Sequence, residues 1–158
     1  MLKRASAAAA LLALCAAVLP AETGALTSFQ ELYQALIRGE AVRAVFHYKR
    51  CRLISENRII EDVPDAVGGM PLDVFEYFAP GSIGNRTGYI ASSQRRLIHH
   101  PRHGYVDNYV KINIFSDGRV RITARYLSPK DLSVVMDESF DTTINDGSRG
   151  GACFYVVR

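Results

Sequence analysis

The stretch Tyr109–Tyr126, YVKINIFSDGRVRITARY, decides the fold. Apolar and polar residues alternate on both sides of Ser116, Asp117 and Gly118, and a period of two belongs to a strand with one buried face. A two-residue turn at Asp117 and Gly118 sets Ile114 against Arg121 and Asn113 against Ile122, which mixes both faces. A three-residue loop with Gly118 left-handed instead pairs Ile114 with Val120, Ile112 with Ile122 and Val110 with Ala124. One face is then wholly apolar. The other presents Phe115 beside Arg119, Asn113 beside Arg121, Lys111 beside Thr123 and Tyr109 beside Arg125.

Upstream, Ser28 followed by Glu31 makes a capping box, and Phe29, Leu32, Tyr33, Leu36 and Ile37 recur at helical spacing up to Gly39, predicting one amphipathic helix of about ten residues. From Ala41 the period becomes two, with Val42, Ala44, Phe46 and Tyr48 on one side of a strand. Leu72–Phe78 reads as a second strand in preference to a short helix, and Tyr89–Ser92 and Arg96–His100 as two short strands around Ser93, Gln94 and Arg95. The Gly and Pro residues between Pro64 and Gly88 mark loops. Val134, Met136, Phe140 and Ile144 continue the alternation, and Ala152–Val157 forms a last strand. The expected architecture is a single domain, mainly antiparallel β, as a sandwich or partly closed barrel with one N-terminal amphipathic helix.

The chain has 158 residues, and its first 25 read as a secretory signal: Lys3 and Arg4, an uncharged run from Ala5 to Leu19, then small residues permitting cleavage after Ala21 or Ala25. An apolar run of about 15 residues falls short of the ~20 that span a bilayer. A lipoprotein reading at Cys15 suffers from Leu14 immediately before it. Removal of the leader leaves 17 basic against 16 or 15 acidic side chains, which is nearly neutral and gives no basis for nucleic-acid binding. The folded domain, residues 26–158, is then expected in the periplasm or outside the cell, with no transmembrane segment after processing.

Two cysteines remain, Cys51 and Cys153, 102 positions apart. In an oxidising compartment they have one intramolecular pairing, so a disulfide is expected, with a loop-closure contribution of roughly 4.7 kcal/mol for about 100 residues. The competing readings are two buried free thiols or a nucleophilic Cys51. His47 lies four residues upstream, about 13 Å away along a strand, too far for a proton relay.

Candidate chemistry falls into three groups. His99, His100 and His103, near Asp107, suggest a metal site; on a strand His99 and His100 face opposite ways, which leaves His99 and His103 as the cooperating pair. Glu76 and Glu138 share the parity of apolar neighbours and are candidate inward carboxylates for a hydrolase. Lys111, Arg119, Arg121 and Arg125, interleaved with Tyr109 and Phe115, form a candidate binding face for a protein or an acidic polysaccharide or lipid surface. The plain alternative to that face is a solvated sheet surface on which arginines cover their aromatic neighbours. Asn85, Arg86 and Thr87 make a glycosylation acceptor relevant only in a eukaryotic cell. No phosphate loop, nucleophile elbow or zinc-protease helix is present, so no cofactor is implied.

The segments LYQALIRGEAVRAVFHYKRC, GGMPLDVFEYF, NYVKINIFSDGRVRITARYL and VMDESF resemble the VirK family of small exported bacterial proteins, some linked to virulence in plant-associated species. The likeness runs from about Thr27 to Val157. It implies an exported single-domain protein associated with a host, and it carries over no catalytic residues. Two functional expectations follow: an exported non-enzymatic binding protein using the basic hairpin face, or a small metal- or carboxylate-dependent hydrolase built around His99, His100 and His103.

Overall fold

In the computed structural model, which describes residues 24–56 and 58–157, the strands are β1 (Gly24–Leu26), β2 (Val42–His47), β3 (Arg52–Ser55), β4 (Arg58–Ile60), β5 (Val67–Pro71), β6 (Phe75–Phe78), β7 (Tyr89–His100), β8 (Gly104–Phe115), β9 (Arg119–Leu127), β10 (Val134–Thr143) and β11 (Ala152–Val156). Helix α1 spans Phe29–Ile37. The expected leader through Ala21 lies outside the described residues.

Local chemistry sets α1 as the sequence predicts. The Ser28 hydroxyl accepts from the Glu31 N–H at 3.2 Å, the Glu31 carboxylate accepts from the Thr27 N–H at 2.7 Å, and Gly39 leaves the helix at φ +73°. Leu32, Ala35 and Leu36 point into the core.

The strands form two sheets, ordered β1-β11-β2-β5 and β4-β3-β10-β9-β8-β7-β6, and every strand pairing within them is antiparallel. They stack as a sandwich. Val42, Ala44, Phe46, Ala152, Phe154 and Val156 of the smaller sheet meet Ile112, Ile114, Val120, Ile122 and Phe140 of the larger one in a single core cluster. The deciding hairpin has the predicted register, with Ile114 opposite Val120, Ile112 opposite Ile122 and Val110 opposite Ala124, and Gly118 at φ +86°.

Three expectations need correction. Residues 89–100 are one strand of 12 residues, because β8 begins at Gly104, five residues before the predicted start, and supplies a partner to every one of them. Backbone pairing overrides the polar Ser93, Gln94 and Arg95. Residues 67–71 are a strand although Gly68, Gly69 and Pro71 suggest a loop. A side chain at Gly68 would place its Cβ 2.7 Å from Tyr48 Oη, and one at Gly69 would lie 2.7 Å from the Ala44 carbonyl oxygen, so these glycines permit close approach inside a sheet.

The third correction concerns the sulfurs: Cys51 and Cys153 are buried free thiols and form no disulfide. Cys51 follows a single 3₁₀ turn, Tyr48–Arg50, and packs in the core, its thiol donating to the His47 carbonyl at 3.4 Å. Cys153 falls between Ala152 and Phe154, whose side chains enter the core. It therefore turns to the other face of its sheet, where its sulfur accepts from Asn145 Nδ2 at 3.4 Å. Compartment and cysteine count say nothing about strand parity, and parity decides the matter. Adding dithiothreitol during thermal unfolding is expected to leave the midpoint unchanged. Loss of a link across so long a loop would lower it by roughly 10 °C or more.

Candidate interaction surface

Strand alternation sends every second residue of the larger sheet away from the core, and the cross-strand register arranges these outer side chains in transverse rows. The first row runs Phe78, Tyr89, Phe115 and Arg119, with ring centroids 5.0 Å and 5.8 Å apart and the Arg119 guanidinium 5.1 Å above Phe115. The second passes through Ala91, Asn113, Arg121, Asp141 and Arg52. The third runs from Lys111 through the small, polar Thr123 and Ser139 and ends in Ile54 and Ile59. The fourth carries Arg95, Tyr109, Arg125 and Asp137. Beyond it, Leu97, Leu127 and Val134 flank Asp107, which stands opposite both leucines, and Leu97 and Val134 are 61% and 58% exposed.

All six residues of the predicted binding face thus lie together on one open surface. The sequence reading missed their carboxylate partners. Arg121 grips Asp141 with two hydrogen bonds, at 2.7 Å and 2.9 Å, and Arg52 reaches the same carboxylate at 3.2 Å. Arg125 binds Asp137 at 3.0 Å, Arg119 binds Asp117 at 2.8 Å, and Arg95 lies 3.7 Å from Asp107. Among the described residues Lys111 has no ion-pair partner. The face is therefore a lattice of both signs, with a small basic excess. Arg125 and Asp137 also border an open groove of about 700 Å³ shared with Ile54, Val134 and Val135. A second hollow of about 460 Å³ sits at Phe115, Arg121 and Asp141.

The Arg121 hydrogen bonds, aided by Arg52, hold the Asp141 carboxyl below its ordinary range against the opposing effect of burial, and the same contact raises Arg121. A depressed carboxyl stabilises the fold above its unfolded pKa of about 3.9 and loses that contribution as pH falls through the folded value. Asp141→Asn is expected to cost about 1–2 kcal/mol at neutral pH, since the arginines are half solvated. It should also flatten the acid side of a urea-midpoint-against-pH curve. An unchanged acid limb would show that Asp141 is not held this way.

The hydrolase residues do not converge. His99 turns to the outer face against Tyr105, at 5.1 Å, while His100 and His103 stack at 4.8 Å and lie against Tyr126 at 5.0 Å and 6.1 Å. The expected His99–His103 pair is replaced by His100–His103, because Pro101 and Arg102 turn the chain back before Gly104 at φ +68°. Asp107 is engaged with Arg95, and among the described residues no group of three His, Cys, Asp or Glu side chains is placed to hold a metal. Glu76 lies opposite Ala91 on the outer face, whereas Glu138 shares the inner parity of Phe140, so the two carboxylates stand on opposite sides of the sheet. Asn85 is tied into its own loop, donating to the carbonyls of Ala79 and Thr87 at 3.0 Å each.

Comparison with known proteins agrees with this architecture. The VirK protein family model matches residues 25–132. The chain belongs to the VirK family. The crystal structure of lpg1832, a VirK family protein from Legionella pneumophila, superposes with a TM-score of 0.60 over 82% of this chain and 97% of that one, at 16% identity. At that identity the likeness concerns the VirK fold alone. A comparison with curated proteins finds no match. The family model stops at Leu132, before β10, so Asp137 and Asp141 lie beyond the matched VirK segment while Asp107 and Asp117 lie within it.

Proposed function

We propose that this VirK protein is an exported, non-enzymatic interaction protein whose contact surface is the outer face of the seven-stranded sheet. The observation that carries this reading is the pairing of Arg95, Arg119, Arg121 and Arg125 with aspartates on a face that also exposes Leu97 and Val134. A polyanion would have to displace those aspartates, whereas a protein partner presents both signs and apolar groups together. The reading is supported further by the failure of the histidines and glutamates to converge on a reacting point.

The test is affinity capture by the mature protein from host and bacterial extracts, comparing wild type with R121E/R125E, alongside retention on immobilised heparin. Proteins lost on reversal, with elution from heparin at or below physiological ionic strength, are the expected result. Capture indifferent to the reversal would remove this face, and tight heparin retention would favour the polyanion.

The same preparation reports the processing point. Gly24 and Ala25 pair with Val156 and Tyr155 of β11, and cleavage after Ala25 would leave Leu26 alone of β1. Cleavage after Ala21 keeps the strand, so intact mass is expected to place the mature terminus at Glu22. A terminus at Leu26 would refute this. Among the described residues no helix is long and apolar enough to cross a membrane.

A further inference from the structure

The central strand of the outer face, β9, and its neighbour β10 carry opposite charge at matched heights. Outward from β9 point Arg119, Arg121, Thr123, Arg125 and Leu127; outward from β10, in register, point Thr143, Asp141, Ser139, Asp137 and Val134. One strand is basic with an apolar end, and its neighbour is acidic with an apolar end.

This arrangement is complementary to itself. A two-fold axis in the plane of contact, running along the β9–β10 seam, turns one copy over onto another so that β9 meets the second copy's β10. Heights along the seam are preserved. Arg121 then faces the second copy's Asp141, Arg125 its Asp137, and Leu127 its Val134. Each arginine gains a second carboxylate without losing the first. At the centre Thr123 meets Ser139, and short side chains there let the sheets approach to the ~10 Å spacing of face-to-face packing. Stacked sheets cross at about −30°, so close matching is needed only in the central rows. The overlap is modest: the turn lays β9, β8 and β7 on the second copy's β10, β3 and β4 and leaves β6 outside. Six strands at about 4.8 Å spacing and nine residues of β9 thus bound the contact at roughly 24 Å by 27 Å, or at most about 650 Å² per copy, less where β3 and β4 are short, the low end of the range for stable interfaces.

We propose that two copies of this chain pair sheet on sheet about an axis along the β9–β10 seam. The pairing rests on the reading of this face as a protein-contact surface and names its first occupant. It is an isologous contact, closed at two copies.

Sedimentation equilibrium of the mature protein from about 1 µM to about 200 µM, a range that spans micromolar dissociation constants, tests it. The expected result is a doubling of mass with concentration that weakens in added salt, because part of the contact is ionic. R121D/R125D alone and D137R/D141R alone are expected to stay monomeric. Their equimolar mixture should recover a mixed dimer, since the reversed β9 of one then faces the reversed β10 of the other. Circular dichroism checks that each variant folds, and the wild-type mass series decides without them. A monomeric wild type at every concentration overturns the pairing, as does a dimer that both variants retain. If the monomer still captures a protein through Arg121 and Arg125, the pairing falls and the contact-face reading stands; if capture too ignores those residues, both fall.

Discussion

Gly150→Ala is expected to cost about 3–5 kcal/mol and to leave little folded protein at 37 °C. Gly150 has φ +96°, where a side chain is strained. Its Cβ would also lie 2.7 Å from the carbonyl oxygens of both Thr143 and Ile144. Those oxygens cannot retreat. Ile144 is bridged to Ala152 and donates its N–H to the Gly118 carbonyl at 2.9 Å, and Asn145 donates to the Ala152 carbonyl at 2.7 Å. The Gly151 N–H next door donates to Thr142 Oγ1 at 2.7 Å. This loop clamps the end of β10 in one sheet to the start of β11 in the other, so a shift there opens the sandwich at its crossover. Gly147 is the control: it has the same φ of +96° but nothing within 4 Å of an added Cβ, and Gly147→Ala is expected to cost about 1 kcal/mol. Equal denaturation midpoints for the two variants would show that the close approach at Gly150 does not matter.

How much of this molecule was legible in the sequence depended on the range of the interaction that fixes each part. The Tyr109–Tyr126 hairpin was readable because alternation and one glycine, all within 18 residues, determine its register. Helix α1 was readable from its cap and stripe. Strand β5 was not, since Gly68 and Gly69 answer to Tyr48 and Ala44, 20 and 25 positions away. The short β3 and β4, with four and three residues, give too few alternations to register as strands. The basic half of the candidate face was legible because Arg119, Arg121 and Arg125 share one strand. Its acidic half was not, because Asp141 meets Arg121 across 20 positions and Arg52 across 89, through a register that no local pattern states. The charge of the face therefore looked one-signed in the sequence and is two-signed in the fold. The histidine pairing failed for a related reason: Pro101 bends the chain between His100 and His103 and changes which imidazoles share a side.

The second large effect is expected at Ile122, where Ile122→Asp should abolish folding while Arg121→Asp leaves a folded chain. Ile122 is 0% exposed, sits opposite Ile112 on one neighbour and Phe140 on the other, and belongs to the cluster joining both sheets. A carboxylate there finds no donor and must either stay charged without water or take up a proton, at a cost above about 4 kcal/mol together with the lost packing. That consumes most of the stability of a domain near the lower end of the usual range of about 5–15 kcal/mol. At Arg121 the same change replaces an ion pair with a like-charge contact to Asp141 on a wet surface, where solvent and Arg52 hold the cost to about 2 kcal/mol. Far-UV circular dichroism and a ¹H–¹⁵N correlation spectrum separate the outcomes. Adjacent residues differ so sharply because period-two geometry puts them on opposite faces, and a slip of one residue would exchange their roles. A folded Ile122→Asp beside an unfolded Arg121→Asp would mean that the basic face is the core and the apolar one is wet. The ion-pair lattice and the contact surface built on it would then both be lost. The expected pattern instead leaves Arg121, Arg125, Asp137 and Asp141 facing outward together, the condition under which one copy can meet another.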